Sequence, residues 1–110
     1  MSTTDLQSFY RTYIAAVNAL PPSSGNLAPY LASPVIHNDR HFTPAEYRAL
    51  ILDGSTFTID ELIVDERARK VAARLSIEVV GREKKITENV FYVLNEEGKI
   101  QQVWSMVEGV

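Results

Sequence analysis

The stretch Gly54–Val80, GSTFTIDELIVDERARKVAARLSIEVV, is where the chain changes period. Upstream of Gly54 apolar residues recur every three or four positions. Downstream they recur every second position, the spacing of side chains on a half-buried strand. Phe57–Val64 therefore reads as a strand and Val71–Val80 as a longer one, with Val71, Ala73, Leu75, Ile77 and Val79 on one face. The same alternation predicts strands over Ile86–Leu94 and Ile100–Val107. Asp65-Glu66-Arg67-Ala68, Gly81-Arg82-Glu83 and Asn95-Glu96-Glu97-Gly98 join them. Connections this short link antiparallel neighbours.

Working back from Gly54, Thr43-Pro44-Ala45-Glu46 reads as a helix start. Thr43 caps, Pro44 takes the first turn and Glu46 completes a capping box. Tyr47, Leu50 and Ile51 form the apolar stripe, and Asp53-Gly54 stops the helix. Before it, Asn38-Asp39-Arg40-His41 reads as a polar loop and Val35-Ile36-His37 as a short extended piece. A short helix is predicted from Asn26, carrying Leu27, Tyr30 and Leu31. The first element is a longer helix. Thr4 and Gln7 suit a capping box, and Leu6, Phe9, Tyr10, Tyr13, Ile14, Val17 and Leu20 make one wide apolar face. Pro21-Pro22 ends it, before a Ser23-Ser24-Gly25 loop. Helices first and an antiparallel meander second make an α+β fold, with helices packed on one face of the sheet. A curved sheet with helices across its open face leaves a cavity between the layers.

Composition narrows the function. The 110 residues make a single domain, 1–110, with 45% apolar and 23% charged residues. A net charge of −3 gives no field to collect nucleic acid or an anionic membrane. The absence of cysteine excludes disulfides, thiolate catalysis and thiolate zinc sites. No run approaches the roughly 18 apolar residues of a membrane span, and the N-terminus lacks a signal-peptide core, so a cytoplasmic location is expected. The sequence has no glycine-rich phosphate loop, no Gly-x-Ser-x-Gly elbow and no metal-ligand cluster. Any chemistry is expected to be proton transfer without cofactor or metal.

Several segments together carry a resemblance: the tyrosine-bearing first helix, Val35-Ile36-His37-Asn38, Thr43-Pro44-Ala45-Glu46-Tyr47-Arg48, Val71-Ala72-Ala73-Arg74-Leu75, and the ending Gly98-Lys99-Ile100-Gln101-Gln102-Val103-Trp104 with Val107-Glu108. Over nearly its whole length the chain resembles the SnoaL-like polyketide cyclase group of the nuclear transport factor 2-like superfamily. The resemblance implies a cone-shaped α+β barrel, often homodimeric through its sheet. The superfamily includes cyclases, isomerases, dehydratases, epoxide hydrolases and proteins without catalysis, so the chemistry must be argued from the site.

His37 ends a short strand beside a polar loop, which in the resembling folds borders the cavity mouth; it is a candidate acid/base. Its alternative is a rim histidine bonded to the loop. His41, in the loop itself, reads as solvated. Glu108 shares a strand face with Trp104 and Met106, so it lines the cavity if Trp104 does. An acidic residue in this region transfers protons in the resembling cyclases, and a carboxyl in an apolar pocket has a raised pKa. Met106 stands where the cyclase pattern has Asp, which excludes acid/base work there. Arg74, Ser76 and Glu78 share a face, either solvent or cavity. Arg74 and Glu78 are about 13 Å apart along a strand and cannot touch, which speaks against the arginine–aspartate pair of the related epoxide hydrolases. Asn89 and Tyr92 lie on opposite faces of their strand, and either side is apolar enough for burial. Tyr13, Tyr47, Tyr92 and Trp104 are either core or pocket wall. Arg82, Lys84 and Lys85 read as a solvated hairpin tip.

The expected function is binding of a small apolar carbonyl metabolite of polyketide or terpenoid type. Catalysis would be isomerisation, cyclisation or dehydration. His37 and Glu108 would act as acid and base, and Tyr13, Tyr47, Tyr92, Trp104, Met106 and Arg74 would contact substrate. The alternative is a non-catalytic binding module or a dimeric interaction module. The expected partners are the metabolite and a second copy of the chain.

Overall fold

The computed structural model describes residues 3–20 and 26–109, with side chains from Leu6 onward. Pro21-Pro22, the Ser23-Ser24-Gly25 loop and the side chain of the expected Thr4 cap lie outside the described residues. Helix α1 spans Thr3–Asn18 and buries Leu6, Tyr10, Tyr13, Ile14 and Val17, the face its apolar period defines. Strands β1 (Leu31–His37) and β2 (Arg40–Phe42) follow, then helix α2 (Pro44–Arg48). Strands β3 (Ser55–Asp65), β4 (Lys70–Val79), β5 (Ile86–Leu94) and β6 (Ile100–Glu108) complete the chain. The α2 capping box forms as expected. The Thr43 backbone N–H donates to Glu46 Oε1 at 2.8 Å, and the Glu46 N–H to Thr43 Oγ1 at 3.1 Å.

The sheet order is β2-β1-β6-β5-β4-β3. Strands β3 to β6 form the antiparallel meander read from the sequence. The first half of the chain departs from that reading. Only one helical turn, Ala28–Tyr30, forms where a short helix was expected, because Leu31 already belongs to β1. β1 is longer than the Val35–His37 piece and adds to β6 in parallel. Only Asn38 and Asp39 remain as a turn, both with positive φ, and Arg40 and His41 pair back onto β1 as β2. The sheet is thus mixed and six-stranded among the described residues. Sequence alternation could not reveal the full length of β1 or its neighbour, since its parallel pairing is made with a strand more than sixty residues away.

β3 carries a bulge at Asp60, between the Ile59–Leu75 and Glu61–Arg74 pairs. It explains why Phe57 and Ile59 turn inward together with Leu62 and Val64, although the two pairs differ in parity. An extra residue also bends the strand, which helps the sheet curl around α1. The core fills the concave face: Tyr10, Leu27, Val35, Leu75, Val90, Ile100 and Val103 are almost wholly buried. Two asparagines fasten the ends of the concavity. Asn18, at the end of α1, accepts from the Phe57 N–H at 2.7 Å and donates to the Phe57 carbonyl at 2.9 Å. Asn38 does the same for Ser105, at 2.9 and 3.2 Å. Among the described residues no helix is long and apolar enough to cross a membrane.

Candidate functional site

A cavity of about 590 Å3 lies between the sheet and the helices. α1 contributes Tyr13, Ile14 and Val17; the β1–β2 hairpin contributes His37, Asn38, Arg40 and Phe42. Tyr47 and the segment Leu50–Leu52 close another side. The sheet wall is aliphatic, with Leu75, Ile77, Ile86 and Val107, and it carries Glu88, Tyr92 and Ser105.

Strand register decides which side chains reach this space. Residues directly opposite each other in an antiparallel pair share a face. Tyr92 pairs with Val103 and Glu88 with Val107, so Glu88, Val90, Tyr92, Val103, Ser105 and Val107 face inward. Phe91 pairs with Trp104, Asn89 with Met106 and Thr87 with Glu108, so these face outward. Arg74 pairs with Asn89 and points out with them.

The predicted site residues therefore separate into two groups. His37, Tyr13, Tyr47 and Tyr92 line one cavity. Glu108, Trp104, Met106 and Arg74 lie on the opposite face of the sheet, where all four are exposed. The expected pairing of His37 with Glu108 is corrected by this geometry: the sheet itself stands between them. Trp104 and Met106 likewise do not contact a ligand in the cavity, nor does Arg74. Ser76 and Glu78 share the outer face with Arg74, and Ser76 donates to Asp60 at 2.5 Å. His41, opposite Ile36, also points away, while Arg40, opposite His37, points in.

The carboxylate the cavity does hold is Glu88. Its parity row, Ile86-Glu88-Val90-Tyr92-Leu94, is otherwise apolar or aromatic, and a lone acid in such a row is the signal that could have found it. Burial pushes the Glu88 carboxyl above the ordinary glutamate range, and a hydrogen bond donated by the Ser105 hydroxyl pulls it part of the way back. Asn38 holds the Ser105 backbone from the other side, so the donor is fixed by a hairpin rather than by its own strand alone.

The tyrosines form a connected floor. Tyr10 and Tyr92 share a hydrogen bond at 3.0 Å between hydroxyls, with ring centroids 5.0 Å apart. Tyr13 stands edge-on to Tyr92 at 6.2 Å. Burial raises the pKa of Tyr13, Tyr47 and Tyr92, and the nearby Glu88 charge adds to it. These hydroxyls keep their protons through neutral pH and serve as donors. His37 sits at the rim, half-buried, its ring edge-on to Tyr47 at 5.7 Å and Phe42 at 6.1 Å. Burial lowers its pKa, which favours the neutral imidazole. Arg48 is buried. It bonds to Asp53 at 3.6 Å and reaches the Ile51 carbonyl at 3.5 Å, bracing the Leu50–Gly54 segment at the mouth. Among the described residues no three His, Asp or Glu side chains gather as a metal site.

Such a chamber, with one perturbed carboxylate, a neutral imidazole and protonated phenols in an apolar wall, can bind an apolar molecule and move protons on it. No protein-family model matches the chain, and no curated protein matches it in sequence. Solved structures do match. SalBIII, an epoxide hydrolase/cyclase-like enzyme in pyran ring formation in polyether salinomycin, superposes with a TM-score of 0.72 at 16% identity, over 94% of this chain and 91% of its own. The BvnE pinacolase from Penicillium brevicompactum gives 0.71 at 15% identity, over 98% and 88%. A member of the SnoaL-like family from Agrobacterium tumefaciens gives 0.70 at 16% identity, over 97% and 100%. The chain has the nuclear transport factor 2-like α+β fold in its SnoaL-type form. At these identities the likeness is one of fold, and the chemistry rests on the cavity.

Proposed function

We propose that the protein binds an apolar, carbonyl-bearing metabolite of polyketide or terpenoid type and catalyses proton transfer on it, as in an isomerisation, cyclisation or dehydration. The observation that carries this reading is Glu88, a partly buried carboxyl with a raised pKa in an apolar chamber floored by tyrosine hydroxyls. The Glu88 carboxylate removes a proton from the carbon beside the carbonyl. The electron pair moves onto the carbonyl oxygen, which accepts hydrogen bonds from Tyr13, Tyr47 or Tyr92. The protonated Glu88 then returns that proton at the product position, while neutral His37 at the rim accepts a hydrogen bond from the ligand or donates one to it. The names of the fold neighbours, a cyclase-like enzyme and a pinacolase, support chemistry on carbon skeletons.

The test is hydrogen–deuterium exchange at the α-carbon of 2-tetralone in D2O, followed by NMR. The protein should accelerate exchange, and Glu88→Gln should lower the rate by about 10²–10⁴-fold. Exchange no faster than in buffer, or unaffected by Glu88→Gln, overturns the assignment.

The outer face supports a second, compatible reading. Ile63, Ala72, Phe91 and Trp104 stand side by side across it, next to the row Glu61, Arg74, Asn89 and Met106. Ile63, Phe91 and Met106 are 71, 58 and 69% exposed, an apolar patch of the sort that marks an interface. Because the face carries both Arg74 and Glu61, a two-fold arrangement can match opposite charges reciprocally. We propose a homodimer through this face. Sedimentation analysis should find a dimer, and Phe91→Lys with Met106→Lys should find a monomer. A monomeric wild-type protein overturns it.

A further inference from the structure

We propose that the ligand is an amphipathic anion, held with its apolar body in the cavity and its carboxylate, or a similar single anion, on Arg40 at the mouth. The inference rests on the cavity being the ligand site, as argued above, and adds the chemical class and the orientation of what it takes.

Arg40 is the one cation among the described residues lining the cavity. The β1–β2 register sets it directly opposite His37 on the inward face, whereas its neighbour His41 faces away. Its guanidinium carbon lies 5.6 Å from the centroid of the Phe42 ring, a cation–π contact that fixes the head group over the mouth. Among the described residues no carboxylate lies within ion-pair distance of it, although the chain carries more acids than bases. Among the described residues its donors thus have no ion-pair partner, and a guanidinium fork suits a carboxylate or a similar oxyanion.

The rim supports an extended ligand. Leu50 and Leu52 line the cavity and are nevertheless 47 and 48% exposed, so the apolar wall continues outward past the mouth. Polarity along the chamber then sets direction. Glu88 on the sheet wall disfavours a second negative charge beside it, and Arg40 at the rim favours one. The ligand enters apolar end first, with its anionic end left at the hairpin.

Two fluorescent probes separate the parts of this claim. N-phenyl-1-naphthylamine is neutral; 1-anilinonaphthalene-8-sulfonate is the same aromatic frame with one sulfonate. The wild-type protein should bind the sulfonate about tenfold more tightly, as one charge-assisted contact allows. Arg40→Ala should bring the sulfonate to the level of the neutral probe and leave the neutral probe unchanged; Arg40→Lys should keep part of the preference. Equal binding of the two probes by the wild type overturns the proposal and leaves the cavity reading standing. So does an Arg40→Ala variant that weakens both alike. Binding of neither probe overturns both. Loss of binding in Phe91→Ser with Met106→Ser would put the probes on the outer face and also overturn the proposal; retained binding in that variant supports it.

Discussion

The Ser105 hydroxyl donates to the Glu88 carboxylate across the β5–β6 ladder. Ser105 stands opposite Val90, one inward position along from Glu88, so the bond runs diagonally between neighbouring strands. It is the polar contact that tempers the burial of Glu88. Removing it should raise the Glu88 pKa further, because the charged form loses its donor while burial is unchanged. In Ser105→Ala the acidic limb of the pH–rate profile, where the rate rises as Glu88 loses its proton, should move to higher pH. A profile that stays in place would separate Ser105 from the reacting carboxyl.

Glu88 also couples stability to pH. Its folded pKa lies above its ordinary value of 4.5, so between the two the folded protein holds a proton that the unfolded chain has lost. The contribution to stability is present below 4.5 and is lost as pH rises through the folded pKa. Glu88→Gln removes this dependence. Urea unfolding should find the variant gaining on the wild type as pH rises from 4.5 to 8, with little difference at pH 4.

Asn38 adopts a φ of +46° and clamps the Ser105 backbone with two hydrogen bonds. Asn38→Ala loses both bonds and must hold alanine in the left-handed region, at a cost of about 1–2 kcal/mol. Asn38→Gly loses the bonds without the backbone strain and should lie between the two in thermal unfolding. Both should slow exchange at the α-carbon, since the Ser105 donor is no longer pinned.

Tyr92→Phe leaves the buried Tyr10 hydroxyl without its partner at 3.0 Å. An unsatisfied hydroxyl in the core should lower stability by about 1–3 kcal/mol. The double variant Tyr10→Phe with Tyr92→Phe should recover much of that loss in denaturant titrations, because both polar groups are then gone.

Glu108→Gln should leave α-carbon exchange unchanged. The residue pairs with Thr87 on the outer face, with the sheet between it and the cavity. A rate that falls with this variant would mean that the outer face takes part in the chemistry.

Much was legible in the sequence, and the parts that were not share a cause. Period alone located α1, the α2 capping box and all four strands of the meander, because these depend on residues close together in the chain. The resemblance led to the right fold and to His37 at the cavity mouth, the aromatic set gave Tyr13, Tyr47 and Tyr92, and all four line the cavity. Period also grouped Trp104, Met106 and Glu108 on one face correctly, but it does not say which face is inside. On β6 the outward row holds Trp104 and Met106, and the inward row holds Val103, Ser105 and Val107, so hydrophobicity points the wrong way. Glu88 was overlooked for the same reason, since the β5 rows are both apolar enough to be core.

The sequence by itself determined what local spacing and chemistry can determine: an α+β arrangement without cysteine, helices before a meander, and an aromatic helix to cover it. Tertiary structure decided the rest. The parallel addition of β1 to β6 carried His37 and Arg40 to the cavity, and the β5–β6 register turned Glu88 inward and Glu108 out. A strand has two faces that its own residues cannot tell apart. Only the burial of one of them under α1 gives the alternation a direction.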